Sequence, residues 1–179
     1  RCAVFIRKNT LWAEIISKAA PTIMEYSCNA HMLMLDDVAV TSSFDVKRLQ
    51  TYAAAADLAI ASPLVHNATF RHMQQCHWWL PVPFIETYMT LFSKEAWDMF
   101  LRLVQAVPGV GWGHDQCLAK KFRFGVHCDS AVHHTGHRSL RSMHSRATAE
   151  DHLIQSLCST IILRGRDNAR NAWVDAMRP

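Results

Sequence analysis

The chain has 179 residues, half of them apolar and 19% charged, with a formal net charge of +4. That is enough for a buried core and excludes an intrinsically disordered chain. The small, mostly scattered positive balance gives no nucleic-acid footprint, only comfort for an anionic ligand, and no apolar run reaches the roughly 18 residues a membrane span requires.

The chain opens at Arg1 and carries no signal peptide, so it reads as a fragment or a processed product. Residues 5–20 have helical apolar spacing through Ile6, Trp12, Ile15 and Ile16, with Pro21 following. His31 to Leu35 is a short apolar run that stops at Asp36 and Asp37, the pattern of a buried strand with acids at its C-terminal end. Ser43 is placed to cap a helix from Phe44 to Ala56. Leu58 to Ala61 reads as a second strand, stopped by Ser62-Pro63, and residues 64–82 as an irregular loop. Phe84 to Phe92 reads as a strand interrupted by Glu86, and Ser93 caps a helix to about Val107, ended by Pro108-Gly109. A helix from about His114 to Phe122, a strand pair at Phe124–Val126 and Ala131–His134, and a helix over residues 147–163 complete the pattern, with a frayed helical end from Arg164. Without a linker or repeat, residues 1–179 read as one domain, with a core at about 28–141 and a helical extension at 147–179.

Four places carry candidate chemistry. Asp36 and Asp37 are adjacent carboxylates at a strand end, suited either to a shared cation or to a solvated turn with a helix-capping acid. Gly111-Trp112-Gly113 gives tight turns around an indole, and Asp115 follows at a helix start. Trp112 is then a sugar-stacking platform and Asp115 a general base or acceptor clamp, or Trp112 packs and Asp115 merely favours the helix dipole. His133 and His134 alternate on a strand, so only one faces the acids as a possible metal ligand. Glu86, an acid in an apolar stretch, needs an Arg or a ligand hydroxyl as partner. Histidine is abundant, with 11 copies. The six cysteines at 2, 28, 76, 117, 128 and 158 lack CxxC spacing. That argues against structural zinc and leaves reduced thiols and secretory-pathway bridges both open.

Three segments in this order resemble a known family. They are Pro83 to Trp97 (PFIETYMTLFSKEAW), Gly111-Trp112-Gly113-His114-Asp115, and Asp129 to His134 (DSAVHH), preceded by Leu35-Asp36-Asp37-Val38. The combination resembles the glycosyltransferase-related family designated domain of unknown function 707, over residues 28–141. The Gly-Trp-Gly-acid loop also resembles that of β-1,4-galactosyltransferases. The resemblance implies an α/β fold of GT-A type, a mixed sheet with flanking helices, here lacking its N-terminal strands. It implies a Mn²⁺ (or Mg²⁺) ion bridging a nucleotide-sugar diphosphate to Asp37, with Asp36 and His134 as further ligands and His133 as the alternative to His134. Leu35 stands where the family's acid-x-acid motif has its first acid. Asp115 and Glu86 fall on the family's acids as catalytic residues, and Trp112, Gly113 and Glu86 on the sugar-binding side. The expected activity is hexose transfer from a nucleotide-sugar donor to a carbohydrate or glycoconjugate acceptor, in the Golgi lumen if an anchor precedes this chain. The rival expectations are a non-catalytic carbohydrate- or protein-binding relative and a metal-dependent hydrolase. The hydrolase would need a second acidic pair near Asp36-Asp37, which the sequence does not show.

Overall fold

The computed structural model describes residues 12–25, 28–69, 71–75, 82–109, 111, 113–136 and 144–164. In chain order the elements are α1 (Trp12–Met24), β1 (Ala30–Met34), β2 (Val38–Val40), α2 (Val46–Ala55), β3 (Ile60–His66), α3 (Arg71–Gln74), β4 (Met89–Ser93), α4 (Lys94–Ala106), α5 (His114–Ala119), β5 (Phe124–His134) and α6 (His144–Arg164). The strands form one sheet in the order β1-β4-β3-β5-β2. Only the β3–β5 pair is parallel; β1–β4, β3–β4 and β2–β5 are antiparallel.

The connection between the two edge strands dictates the shape. β1 and β2 lie at opposite edges of the sheet, yet only Leu35, Asp36 and Asp37 separate them in sequence. A flat five-stranded sheet is roughly 19 Å from edge to edge at ~4.8 Å per strand. The four Cα steps from Met34 to Val38 span at most about 14 Å. The sheet therefore has to curl. Leu35 N–H donates to Tyr88 O at 2.8 Å, continuing the β1–β4 side, and Thr135 N–H donates to Asp37 O at 2.8 Å, continuing the β5–β2 side. The short linker thus sews both edges together, and the domain is a small mixed α/β unit around a nearly closed, barrel-shaped sheet. This corrects the open GT-A sheet with flanking helices that the family resemblance implies.

The larger core lies between the sheet and α1, α4, α5 and α6, around Ile60, Phe92, Trp97, Phe100, Leu103 and Ile154. The smaller one seats α2 on the other face through Leu49 and Ala53, against Leu58, Ala61 and Leu91. α4 follows its sequence closely: Ser93 Oγ accepts from Ala96 N–H at 3.3 Å, and its apolar stripe is buried.

Several boundaries differ from expectation for identifiable reasons. Asp45, not Ser43, caps α2, accepting from Lys47 and Arg48 N–H at 2.8 and 3.2 Å. Pro21 is carried inside α1 rather than after it. β3 runs through Ser62-Pro63, and the pairing with β5 shifts just there: His127 pairs with Pro63, but Ala131 pairs with Leu64. A proline, which has no N–H to give, is accommodated at such a bulge. The expected strand pair at 124–134 is consequently one bulged strand, β5. The expected strand over Phe84 to Phe92 begins only at Met89, so Glu86 lies in the loop before it and is only partly buried. The expected helical end from residue 165 lies outside the described residues.

Candidate acid and cation site at the sheet seam

The seam that closes the sheet also gathers the side chains. β5 alternates, so Val132 points into the core while His133 takes the other face, beside His66 at 4.7 Å between ring centroids. His134 returns to the Val132 side, where the seam places Asp37. Its Nε2 lies 3.1 Å from Asp37 Oδ2, and its Nδ1 lies 3.2 Å from the carbonyl oxygen of Asn67. A carbonyl only accepts, so Nδ1 carries a proton and donates. Nε2 then meets the carboxylate either with a second proton, as an imidazolium, or with a bare lone pair that a cation between the two groups would satisfy. Asp37 Oδ1 is buried and finds no partner among the described residues. Gly136 packs against the pair: a Cβ there would stand 2.7 Å from Asp37 Oδ2 and 2.9 Å from His134 Nε2. Asp36 is exposed at the tip of the turn and outside this contact.

Tyr88 links this pair to the second group of acids. Its ring packs on His134 at 4.4 Å between centroids, and its hydroxyl reaches Thr69 Oγ1 at 3.0 Å and donates to Glu86 Oε1 at 3.4 Å. Burial pushes the Tyr88 hydroxyl above the usual phenol range, so it remains a neutral donor. Glu86 in turn lies within electrostatic range of Asp115.

Asp115 is in the first turn of α5, whose N-cap, Gly113, has φ of 84°. Gly111, at φ 92°, leaves its Cβ position to the indole of Trp12. Both positions favour glycine, which is why Gly-x-Gly brackets the loop. Asp115 Oδ1 accepts from Gln116 N–H at 2.9 Å. Burial raises the Asp115 carboxyl to about 7, and the negative charges of Glu86 and Asp151 add to that, against the backbone hydrogen bonds that oppose it. Trp112 lies outside the described residues.

Contacts therefore link Asp37, His134, Tyr88 and Glu86 in series, with Asp115 within electrostatic range of Glu86, Asp36 exposed at the turn and His133 on the opposite face. Sequence reasoning missed Tyr88, which joins the two halves, although it sits in the same short run as Glu86. It also missed Asp151 and Glu150, which arrive from α6, outside the segment that carries the family resemblance. A Glu-Asp pair on a long helix gives no sign of which loop it will meet.

Among the described residues, no group of three or more His, Cys, Asp or Glu side chains could hold a metal ion, so Asp37 and His134 stand as two donors rather than a complete cage. Among the same residues no helix is long and apolar enough to cross a membrane. Cys117 and Cys158 form a disulfide between α5 and α6, Cys128 is also disulfide-bonded, and Cys28 is free. No family model, curated protein or solved structure matches this chain.

Proposed function

We propose that this domain transfers a glycosyl group from a nucleotide-sugar, with Asp115 as the proton-handling group and Asp37 and His134 on the diphosphate side. The reading rests on Asp115 in the first turn of α5, its carboxyl raised by burial to about 7 with Glu86 within electrostatic range. General acid–base groups work best when their pKa lies near the working pH, and enzymes reach that condition for carboxylates by burial and like-charge neighbours. In an inverting transfer, Asp115 in its ionised form takes the proton from an acceptor hydroxyl as that oxygen bonds to the sugar's anomeric carbon. The bond from that carbon to the diphosphate breaks, and the diphosphate leaves with the electron pair. Glu86, which accepts from the Tyr88 hydroxyl, adds negative charge within electrostatic range of Asp115, and the sugar-stacking role expected of Trp112 belongs to the same reading.

Asp37 and His134 fit a Mn²⁺ or Mg²⁺ ion as a partial site. The imidazole donates its far nitrogen to a backbone carbonyl, the arrangement that orients a metal-binding histidine. Among the described residues the carboxylate keeps a buried oxygen without a hydrogen-bond partner, and Gly136, with no side chain, packs against both groups. Such ions are commonly held by one or two protein groups plus substrate phosphates. When bound, the ion would offset charge on the leaving diphosphate.

Isothermal titration with UDP and with GDP tests this reading. Binding should require Mn²⁺ and be lost in Asp37→Ala and His134→Ala. Equal affinity with and without Mn²⁺, or no binding of either nucleotide, would remove donor binding. The second reading, a carbohydrate-binding domain without transfer, draws support from the lack, among the described residues, of any group of three or more side chains that could hold a metal ion. It is the outcome if oligosaccharides bind while nucleotides do not.

A further inference from the structure

The C-terminal helix meets the acid loop at regular intervals. Glu150 Oε2 accepts from Gly111 N–H at 3.1 Å, and the space a Cβ would need at Gly109 is filled by the same Glu150 carboxyl. One residue on, the Asp151 carboxyl occupies the equivalent space at Gly113. Gln155 accepts from Lys120 Nζ at 2.6 Å, and Cys158 is bonded to Cys117. On the core side, Ala147, Ile154 and Cys158 are buried at the i, i+7 and i+11 spacing of one helix face. Glu150 falls on that buried face, at 8% exposure, and is the only carboxylate among the buried residues described. Burying a carboxyl costs several kcal/mol unless it is hydrogen-bonded. A surface helix has no need of one there, since an apolar side chain would fill the same volume.

We propose that Glu150 is a positioning residue: acting through the Gly109–Gly113 loop it fixes where Asp115 stands, which makes α6 an integral part of the acid site. The described glycines of the loop, Gly109, Gly111 and Gly113, all have positive φ and pack closely against α1 and α6. Gly111 has the indole of Trp12 on one side and the Glu150 carboxyl as acceptor for its N–H. Gly113 caps α5, so its placement sets the first turn, where Asp115 lies. The Cys117–Cys158 bridge keeps the same two helices together one turn farther on.

The role assigned to Asp115 rests on the transferase reading, but the clamp can be tested without turnover. The experiment follows the Asp115 side-chain carboxyl by ¹³C NMR from pH 4 to 9, and the exchange of the Gly111 amide proton, in wild type, Glu150→Gln and Glu150→Ala. The wild-type midpoint is expected at about 7. Glu150→Gln keeps an acceptor oxygen and should leave both readouts near wild type. Glu150→Ala should drop the Asp115 midpoint towards the ordinary carboxylate range and speed Gly111 exchange by about tenfold, the size expected for loss of a charge-assisted hydrogen bond. Should Glu150→Ala fail to fold, Glu150→Asp, one methylene shorter, should give the same two changes. An unmoved midpoint with unchanged exchange overturns the clamp. Equal changes in Gln and Ala also overturn it, since charge rather than the hydrogen bond would then be responsible. Mn²⁺-dependent UDP binding, measured alongside, should stay near wild type in all three variants. Its absence from the wild type would remove the transferase reading while leaving the clamp to stand or fall on the NMR data.

Discussion

The two ends of the site are held in different ways. Asp37 and His134 are fixed by backbone: the β2–β5 register pairs Val38 with His134, and a short linker forces the sheet edges together. Asp115 is fixed by side chains and a covalent bond: a glycine loop leaning on Trp12 and Glu150, and a helix stapled to α6 by a disulfide. The first arrangement tolerates surface change, because the register is specified by a buried strand face. The second depends on a few contacts distant in sequence. A site that binds a constant group at one end and performs proton chemistry at the other is served by this division. Under the proposed transferase reading, the diphosphate side would call for fixed geometry and the acid for an environment that tunes its proton.

Breaking the staple should give the largest effect on the acid end. Replacing Cys117 and Cys158 together by serine removes a bridge that closes 41 residues, and removal of a native disulfide typically costs about 2–5 kcal/mol. Thermal unfolding should show it as a lower Tm, while Mn²⁺-dependent UDP binding at the seam stays close to wild type.

Asp115→Asn should act in the opposite direction on stability. The carboxyl is raised from its unfolded value of 3.8 to about 7, so its folded form prefers the proton. Stability is fully present below the unfolded pKa and is lost as pH rises through the folded one, between about pH 4 and 7. Asparagine is neutral throughout and can still accept from Gln116 N–H. Chemical denaturation at pH 8 should find the variant more stable, on the order of a few kcal/mol at most, with a flatter dependence over that window. Transfer, by contrast, should fall about 10²–10⁴-fold, the typical contribution of a general base. A variant destabilised by a few tenths of a kcal/mol with an unchanged rate would instead mark Asp115 as a simple helix N-terminal acid.

Tyr88→Phe probes the joint between the two ends. It removes the hydroxyl that contacts Thr69 and Glu86 while leaving the ring on His134. Denaturation should show a loss of about 1 kcal/mol, the usual net value of such a hydrogen bond, and the Asp115 titration should shift because Glu86 is released. The smallest effect is expected at His133. It shares a strand with His134 but faces His66 on the other side, so His133→Ala should leave Mn²⁺-dependent UDP titrations unchanged.

Periodicity and capping made α4, β1 and the start of α5 legible, since each has a local cause: Ser93 as a cap, an apolar run ending in acids, glycines before Asp115. The curl of the sheet was not legible. It arises because strands adjacent in sequence, β1 and β2, occupy opposite edges, and that pairing is settled by non-local packing. The bulge at Pro63 was read as a strand end for the same reason, as proline stops a strand unless a neighbour bulges to admit it. In the site, the carboxylates and histidines announced themselves by type and order, and strand alternation told that His133 and His134 part. Their partners did not. Tyr88 looks like one more aromatic in an apolar run, and Glu150 like a solvated helix acid, until the tertiary fold brings them to Glu86 and to Gly111.

Under the proposed function, a proton-handling Asp115 and a diphosphate-side Asp37–His134 pair act as one site. The most direct test is ³¹P NMR of UDP-sugars and GDP-sugars incubated with the protein and Mn²⁺ between pH 5 and 9. Release of the free nucleoside diphosphate is expected, lost in Asp37→Ala, with a pH dependence centred at about 7 that disappears in Asp115→Asn. No release from any donor at any pH, or release that survives both substitutions, would contradict it.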